Sequence, residues 1–142
     1  MDDIGLLRFG VLGPLEVRKG DRVLPIGSAK QRAVLAVLVL RANHVVPAGE
    51  LIDVVWGGHP PKTAGNAVSV YVAQLRKALG GYLVWRPPGY LLPVDPDQVD
   101  LRRFQRLLAD AHAARAAGDW EQAVAGLQRA LALWRGPALA DV

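Results

Sequence analysis

The side chains able to do chemistry are few, and their spacing argues against catalysis. His44, His59 and His112 lie in unrelated segments without metal-ligand spacing. No serine has a histidine placed to activate it, and no G-x-x-x-x-G-K-S/T loop is present to cradle phosphate. With no cysteine in 142 residues, disulfides, zinc-thiolate sites and thiol nucleophiles are excluded together. The expectation is a non-enzyme with no metal and no cofactor. What remains is hydrogen-bonding chemistry in one stretch, Thr63 to Leu79, TAGNAVSVYVAQLRKAL. At helical spacing Val68, Val72, Leu75 and Leu79 form an apolar stripe flanked by Tyr71 and Ala78. The opposite face carries Asn66, Ser69, Val70, Ala73, Gln74 and Lys77. That row is short on the Glu and Lys of a solvated face, and suits the edges of DNA bases in a major groove. Asn66 and Gln74 are amides of the kind that pair with adenine, Val70 offers an apolar contact to a thymine methyl, and Ala73 permits close approach. Arg76 and Lys77, later on the helix, suit phosphates, which position without reading sequence.

The elements that must hold this helix follow from the rest of the chain. Half of the residues (51%) are hydrophobic, enough for a core in a chain of this length, which has room for one domain or a small domain plus part of another. No apolar run reaches membrane-spanning length, so the expected location is the cytoplasm. The net charge of +4 is unevenly placed: residues 1–29 balance to zero, residues 30–90 carry +5 and residues 91–142 carry −1. A positive field concentrated around the candidate helix fits a polyanion partner, although a basic face can also be merely solvated.

In order, Leu6 to Leu12, Leu15 to Arg18 and Val23 to Ile26 read as three short antiparallel strands separated by turn signals. Ser28 can cap a helix from Ala29 to about Ala42 whose apolar positions run nearly all the way round, which places it centrally in the core. Pro47 can open a second helix, Ala48 to Trp56, stopped by Gly57-Gly58. After the Thr63 helix, Tyr82 to Trp85 and Tyr90 to Val94 flank Arg86-Pro87-Pro88-Gly89 as a hairpin with a basic, proline-stiffened tip. Asp100 can cap a helix to about Ala117, with Leu101, Phe104, Leu107, Leu108 and Ala111 inward. Asp119 can cap another to about Trp134, with Gln122 as capping-box partner. Trp85, Trp120 and Trp134 read as packing residues, and Tyr90 as support for the hairpin from inside.

The runs LIDVVWG (51–57), NAVSVYVAQLRKAL (66–79) and RPPGYLL (86–92) resemble the effector domain of OmpR/PhoB-type response regulators, an α+β winged helix-turn-helix with a leading sheet. No receiver domain precedes the sheet in this sequence. The segment GDWEQAVAGLQRALAL (118–133) resembles a tetratricopeptide-type helix, and DLRRFQ followed by GDWEQAVAGLQRALALWRGPAL is similar to the opening of the bacterial transcriptional activation domain of the SARP group, the actinobacterial antibiotic regulatory proteins. The resemblance implies a winged domain over residues 1–95 and the beginning of a helical activation domain over 96–142, the latter several helices shorter than in that group and so truncated. It also implies Lys62, Thr63 and the backbone at Trp56 against DNA phosphates, and Arg86 at the wing in a minor groove. The implied partners are promoter DNA with direct repeats, bound by a side-by-side pair of chains, and RNA polymerase. The implied role is activation of antibiotic biosynthesis genes. A competing expectation is a protein-interaction module in which the winged part no longer reads DNA and the repeat-like helices are the working part.

Overall fold

A computed structural model describes residues 6–142. Strands β1 (Leu7–Gly10), β2 (Glu16–Lys19) and β3 (Arg22–Val23) form an antiparallel sheet in that order, with Phe9 opposite Val17 and Arg8 opposite Arg18. Alternation decides its inner face, where Leu7, Phe9 and Val17 are buried. The third strand is shorter than Val23 to Ile26: after the Leu24 N–H reaches the Val17 carbonyl at 2.8 Å, Pro25 has no N–H with which to continue the ladder.

Helix α1 (Ala29–Leu40) starts on the expected cap, with Ser28 and Gln31 forming a reciprocal capping box. Val34, Leu35, Ala36, Leu38 and Val39 are buried around its circumference, making it the centre of the core. Asn43 follows with φ 68°, a conformation asparagine tolerates. Its side chain bonds both the N–H and the carbonyl of Val94, at 3.0 and 2.8 Å, as a neighbouring strand would.

An element the sequence did not announce follows. Val46–Pro47 forms β4, the first strand of a second sheet ordered β4-β6-β5. Its companions are β5 (Val84–Arg86) and β6 (Gly89–Leu91), the two arms of the wing hairpin. Gly89 is required at the tip because a Cβ there would lie 1.8 Å from the Val46 carbonyl oxygen. Between the strands lie α2 (Ala48–Trp56) and α3 (Ala64–Leu79), both packed on α1 and on each other.

A single 3-10 turn at Pro96–Gln98, capped by Asp95, leads into α4 (Asp100–Ala116), which pairs closely with α5 (Trp120–Ala132). The close approach is made by small residues: a Cβ on Gly126 would sit 3.2 Å from that of Ala111. Asp119 caps α5 by accepting the Gln122 N–H at 3.2 Å. The expectation that Asp100 caps α4 is corrected. Val99 is the cap residue, and the Asp100 carboxylate accepts the Val11 and Leu12 N–H groups at 2.9 and 3.1 Å. These donors, at the end of the first strand, are buried and would otherwise lack a partner. Trp120 is also corrected: at 63% exposed it lies mostly in solvent rather than in a core, whereas Trp85 meets Tyr90 edge-on and Trp134 meets Phe104.

After α5 the chain returns to the first sheet. The Arg135 N–H donates to Leu12, and the Leu139 N–H lies within reach of the Val11 and Gly13 carbonyls. Asp141 accepts the Leu15 N–H at 2.7 Å and pairs with Arg32 of α1, whose guanidinium also reaches the Leu15 carbonyl. Burial raises the Asp141 pKa, but the Leu15 N–H and the Arg32 guanidinium outweigh it, leaving the carboxyl below the usual aspartate range.

Candidate nucleic-acid interface

Helix α3 is amphipathic as its spacing requires. Ala64, Val68, Val72, Leu75 and Leu79 are buried, and Asn66, Ser69, Val70, Ala73, Gln74 and Lys77 are exposed. Val70, 45% exposed, is an apolar side chain left in water in the middle of the outward face. At the helix start, Lys62 and Thr63 are exposed, and Thr63 occupies the cap position without using its side chain as a cap. The Ala64 N–H is taken by the Pro61 carbonyl at 3.0 Å, which leaves the rest of the first-turn N–H groups at a positive dipole end, next to a hydroxyl and an ammonium. At the other end, Gly80 adopts the left-handed conformation and closes the helix with its N–H on Arg76.

Three helices meet at one aromatic stack. The Trp56 ring, at the end of α2, lies 6.3 Å from that of Tyr71 on α3 at an interplanar angle of 23°, and the Lys30 ammonium of α1 sits 5.9 Å from the Trp56 ring centre. Trp56 thus fixes the α2–α3 geometry by its side chain. Lys30, which sequence reasoning passed over, brings a cation to this corner.

Two expected contact residues are already engaged within the fold. The Ser69 hydroxyl lies 3.3 Å from the Gly65 carbonyl and 3.4 Å from the Tyr90 hydroxyl, linking α3 to the wing. The Arg76 Nε–H donates to the Leu83 carbonyl at 2.9 Å, tying the end of α3 to the segment entering the wing. By contrast, the side chains of Asn66, Gln74, Lys62, Lys77 and Arg86 make no hydrogen bond or ion pair to another described residue, and all five are exposed. Lys77 shares a shallow hollow of about 250 Å³ with Lys19 and Arg22 of the first sheet, two further cations that the neutral balance of residues 1–29 had hidden. Arg86 and Pro87-Pro88 form the exposed wing tip, behind which Tyr90 is buried.

The histidines stay apart: His44 lies between α1 and β4, His59 before α3 and His112 on α4. No helix among the described residues is long and apolar enough to cross a membrane.

Residues 25–92 match the family described as transcriptional regulatory protein, C terminal, and residues 99–142 match the bacterial transcriptional activator domain. The chain is 46% identical over 143 residues to the regulatory protein AfsR of Streptomyces coelicolor, covering 99% of this chain and 14% of that protein. It is 41% identical over 146 residues to the transcriptional regulatory protein MoaR1 of Mycobacterium tuberculosis, covering 97% of this chain and 47% of that one. The structure of Mycobacterium tuberculosis EmbR in complex with a low affinity phosphopeptide superimposes with a TM-score of 0.92 at 42% identity, over 95% of this chain and 38% of that chain. The chain thus spans less than half the length of these relatives. With an OmpR/PhoB-type winged helix-turn-helix leading into a bacterial transcriptional activator domain, the chain belongs to the SARP family of regulators.

Proposed function

We propose that this chain is the DNA-reading part of a cytoplasmic transcriptional activator, with α3 as its recognition helix. The observation that carries this reading is the set of exposed side chains on and around α3 whose polar ends nothing in the fold engages: Asn66, Gln74, Lys77, Lys62 and Arg86. Asn66, Val70, Ala73 and Gln74 read base edges in a major groove. Lys62, Thr63 and the N–H groups of the first turn hold one phosphate, the backbone at Trp56 lies against the same strand, and Lys77 meets another phosphate. Arg86 enters the adjacent minor groove. Ser69 and Arg76 have their first duty inside the fold, aligning the wing with α3; they add to recognition through that alignment.

The division at residues 95 and 96 separates this reader from a helical part that begins a tetratricopeptide-like array. Val124, Leu127 and Leu131 of α5 are 52%, 41% and 66% exposed, the condition of a repeat helix whose neighbour has yet to stack on it. That face favours protein contacts, and with them recruitment of RNA polymerase by paired chains on direct repeats near secondary-metabolism genes.

Binding to a promoter fragment and to a scrambled duplex, each at several salt concentrations, tests the reading. A steep salt slope with a preference of about 10³ or more for the promoter is expected. Equal affinity for both duplexes would overturn it in favour of a winged domain serving only protein contacts.

A further inference from the structure

We infer that the seam between the first sheet and the helical pair is a binding site for a small phosphate-bearing anion. On the outer face of the sheet, Arg8 stands directly opposite Arg18. Like charges so placed on antiparallel strands destabilise the pair. Across the seam, α4 contributes Arg103 and the segment after α5 contributes Arg135, and the four arginines line one hollow of about 290 Å³.

The acids in the hollow do not neutralise them. Both Asp100 oxygens are held by the Val11 and Leu12 N–H groups, and Glu16 is shared between Arg18 and Arg135 at 2.9 and 3.4 Å. Four guanidinium groups thus face two engaged carboxylates, and the side chains of Arg8 and Arg103 make no hydrogen bond or ion pair to another described residue. Gly10 keeps the floor open: a Cβ there would come within 2.7 Å of the Arg135 guanidinium.

A guanidinium fork matches phosphate oxygens in pairs, and the hollow sits near the lower limit of small-ligand pockets, about 300–1,000 Å³. A phosphoryl group with a small organic part fits that size and charge. Because Arg8 and Arg18 come from the sheet and Arg103 and Arg135 from the helical part, the anion would tie the two together. Nothing in this inference depends on DNA binding.

The test is calorimetric titration of the whole chain with inorganic phosphate, adenosine monophosphate and a phosphothreonine peptide, at ionic strength held constant with sodium chloride. Adenosine and the unphosphorylated peptide serve as controls. Saturable one-to-one binding of inorganic phosphate and at least one ester is expected, weakened about tenfold or more in Arg8→Gln and in Arg103→Gln and unchanged in Arg129→Gln, an exposed position on α5 outside the hollow. Arg8→Gln should also leave the ligand-free chain at least as stable to heat as the wild type, because it relieves the Arg8–Arg18 opposition; a merely structural arginine would not combine weaker binding with undiminished stability. Tighter binding of the nucleotide than of the peptide identifies a free nucleotide-like ligand, and the reverse order identifies a phosphorylated side chain. Unsaturable heats, or equal affinity in all three variants and the wild type, would overturn the inference.

Discussion

Replacing Asp100 by alanine removes the acceptor for two buried backbone donors at once. The Val11 and Leu12 amides, 2.9 and 3.1 Å from the carboxylate, belong to residues each 2% exposed. A buried donor left without a partner costs about 1–3 kcal/mol. The adjoining hollow, which Asp100 itself lines, lets water relieve part of that, so Asp100→Ala should destabilise by about 2–4 kcal/mol. Asp100→Asn keeps one acceptor oxygen but turns an amide donor toward an N–H, and should cost about 1–2 kcal/mol. The favourable position of an acid in the first turn of α4 accounts for only about 0.3–1 kcal/mol, too little to produce the alanine value. Urea unfolding at neutral pH measures the order wild type, Asn, Ala. Hydrogen exchange read at the Val11 and Leu12 amides shows whether those two donors are the ones released. Asp110→Ala, an exposed acid on the same helix, should change stability by less than about 0.5 kcal/mol. If Asp100→Ala also stays within that margin, or if the two amides keep their protection, the carboxylate does not clasp the sheet and the reasoning fails.

Gly89→Ala drives a Cβ into the Val46 carbonyl, a backbone atom that cannot rotate away, so β4 and β6 must part; a loss of about 2 kcal/mol or more and faster exchange of the Tyr90 amide are expected. Asn66→Ala and Gln74→Ala should each cost about 1–3 kcal/mol on a promoter site and relax specificity, whereas Lys77→Ala should weaken all duplexes alike and reduce the salt slope by about one; equal losses for Asn66→Ala on specific and scrambled DNA would remove it from the base readers. Because the Asp141 pKa is lowered by folding, its contribution is complete above the unfolded aspartate value of about 3.9 and disappears as pH falls through the lower folded value. The stability gap between wild type and Asp141→Asn should therefore be constant above about pH 5 and close in more acid solution, as followed by denaturant midpoints.

What the sequence reveals is what local rules decide. Helix α2 runs over Ala48–Trp56 as expected because Pro47 opens it and Gly57 closes it. The faces of α3 follow from a 3.6-residue period in burial. Strand β4 stays hidden because two residues show no alternation, and its partner Tyr90 lies far along the chain. Asp100 has the spacing of a cap, yet it serves donors near the chain's beginning, a demand no window of sequence contains. The same limit applies to the site: Asn66 and Gln74 are recognisable as outward amides, but only the wing's approach shows that Ser69 faces Tyr90 and that Arg76 holds Leu83. Lys19 and Arg22 escape a charge sum because residues 1–29 balance to zero, yet folding brings both into one hollow with Lys77 of α3.

The return of the chain from α5 to Val11–Leu15 also has a bearing on its synthesis. Leu15 and Asp141 are 126 residues apart. At about 5–20 residues per second, roughly 6–25 s separate the emergence of the two partners from the ribosome. By the end of that interval the first sheet, the three helices and the wing have emerged and Asp100 has become available to the Val11 and Leu12 amides, while the Leu15 amide still has only water. The first sheet is thus completed after α3, and a nascent chain halted before Asp141 would carry a finished α3 on an unfinished sheet.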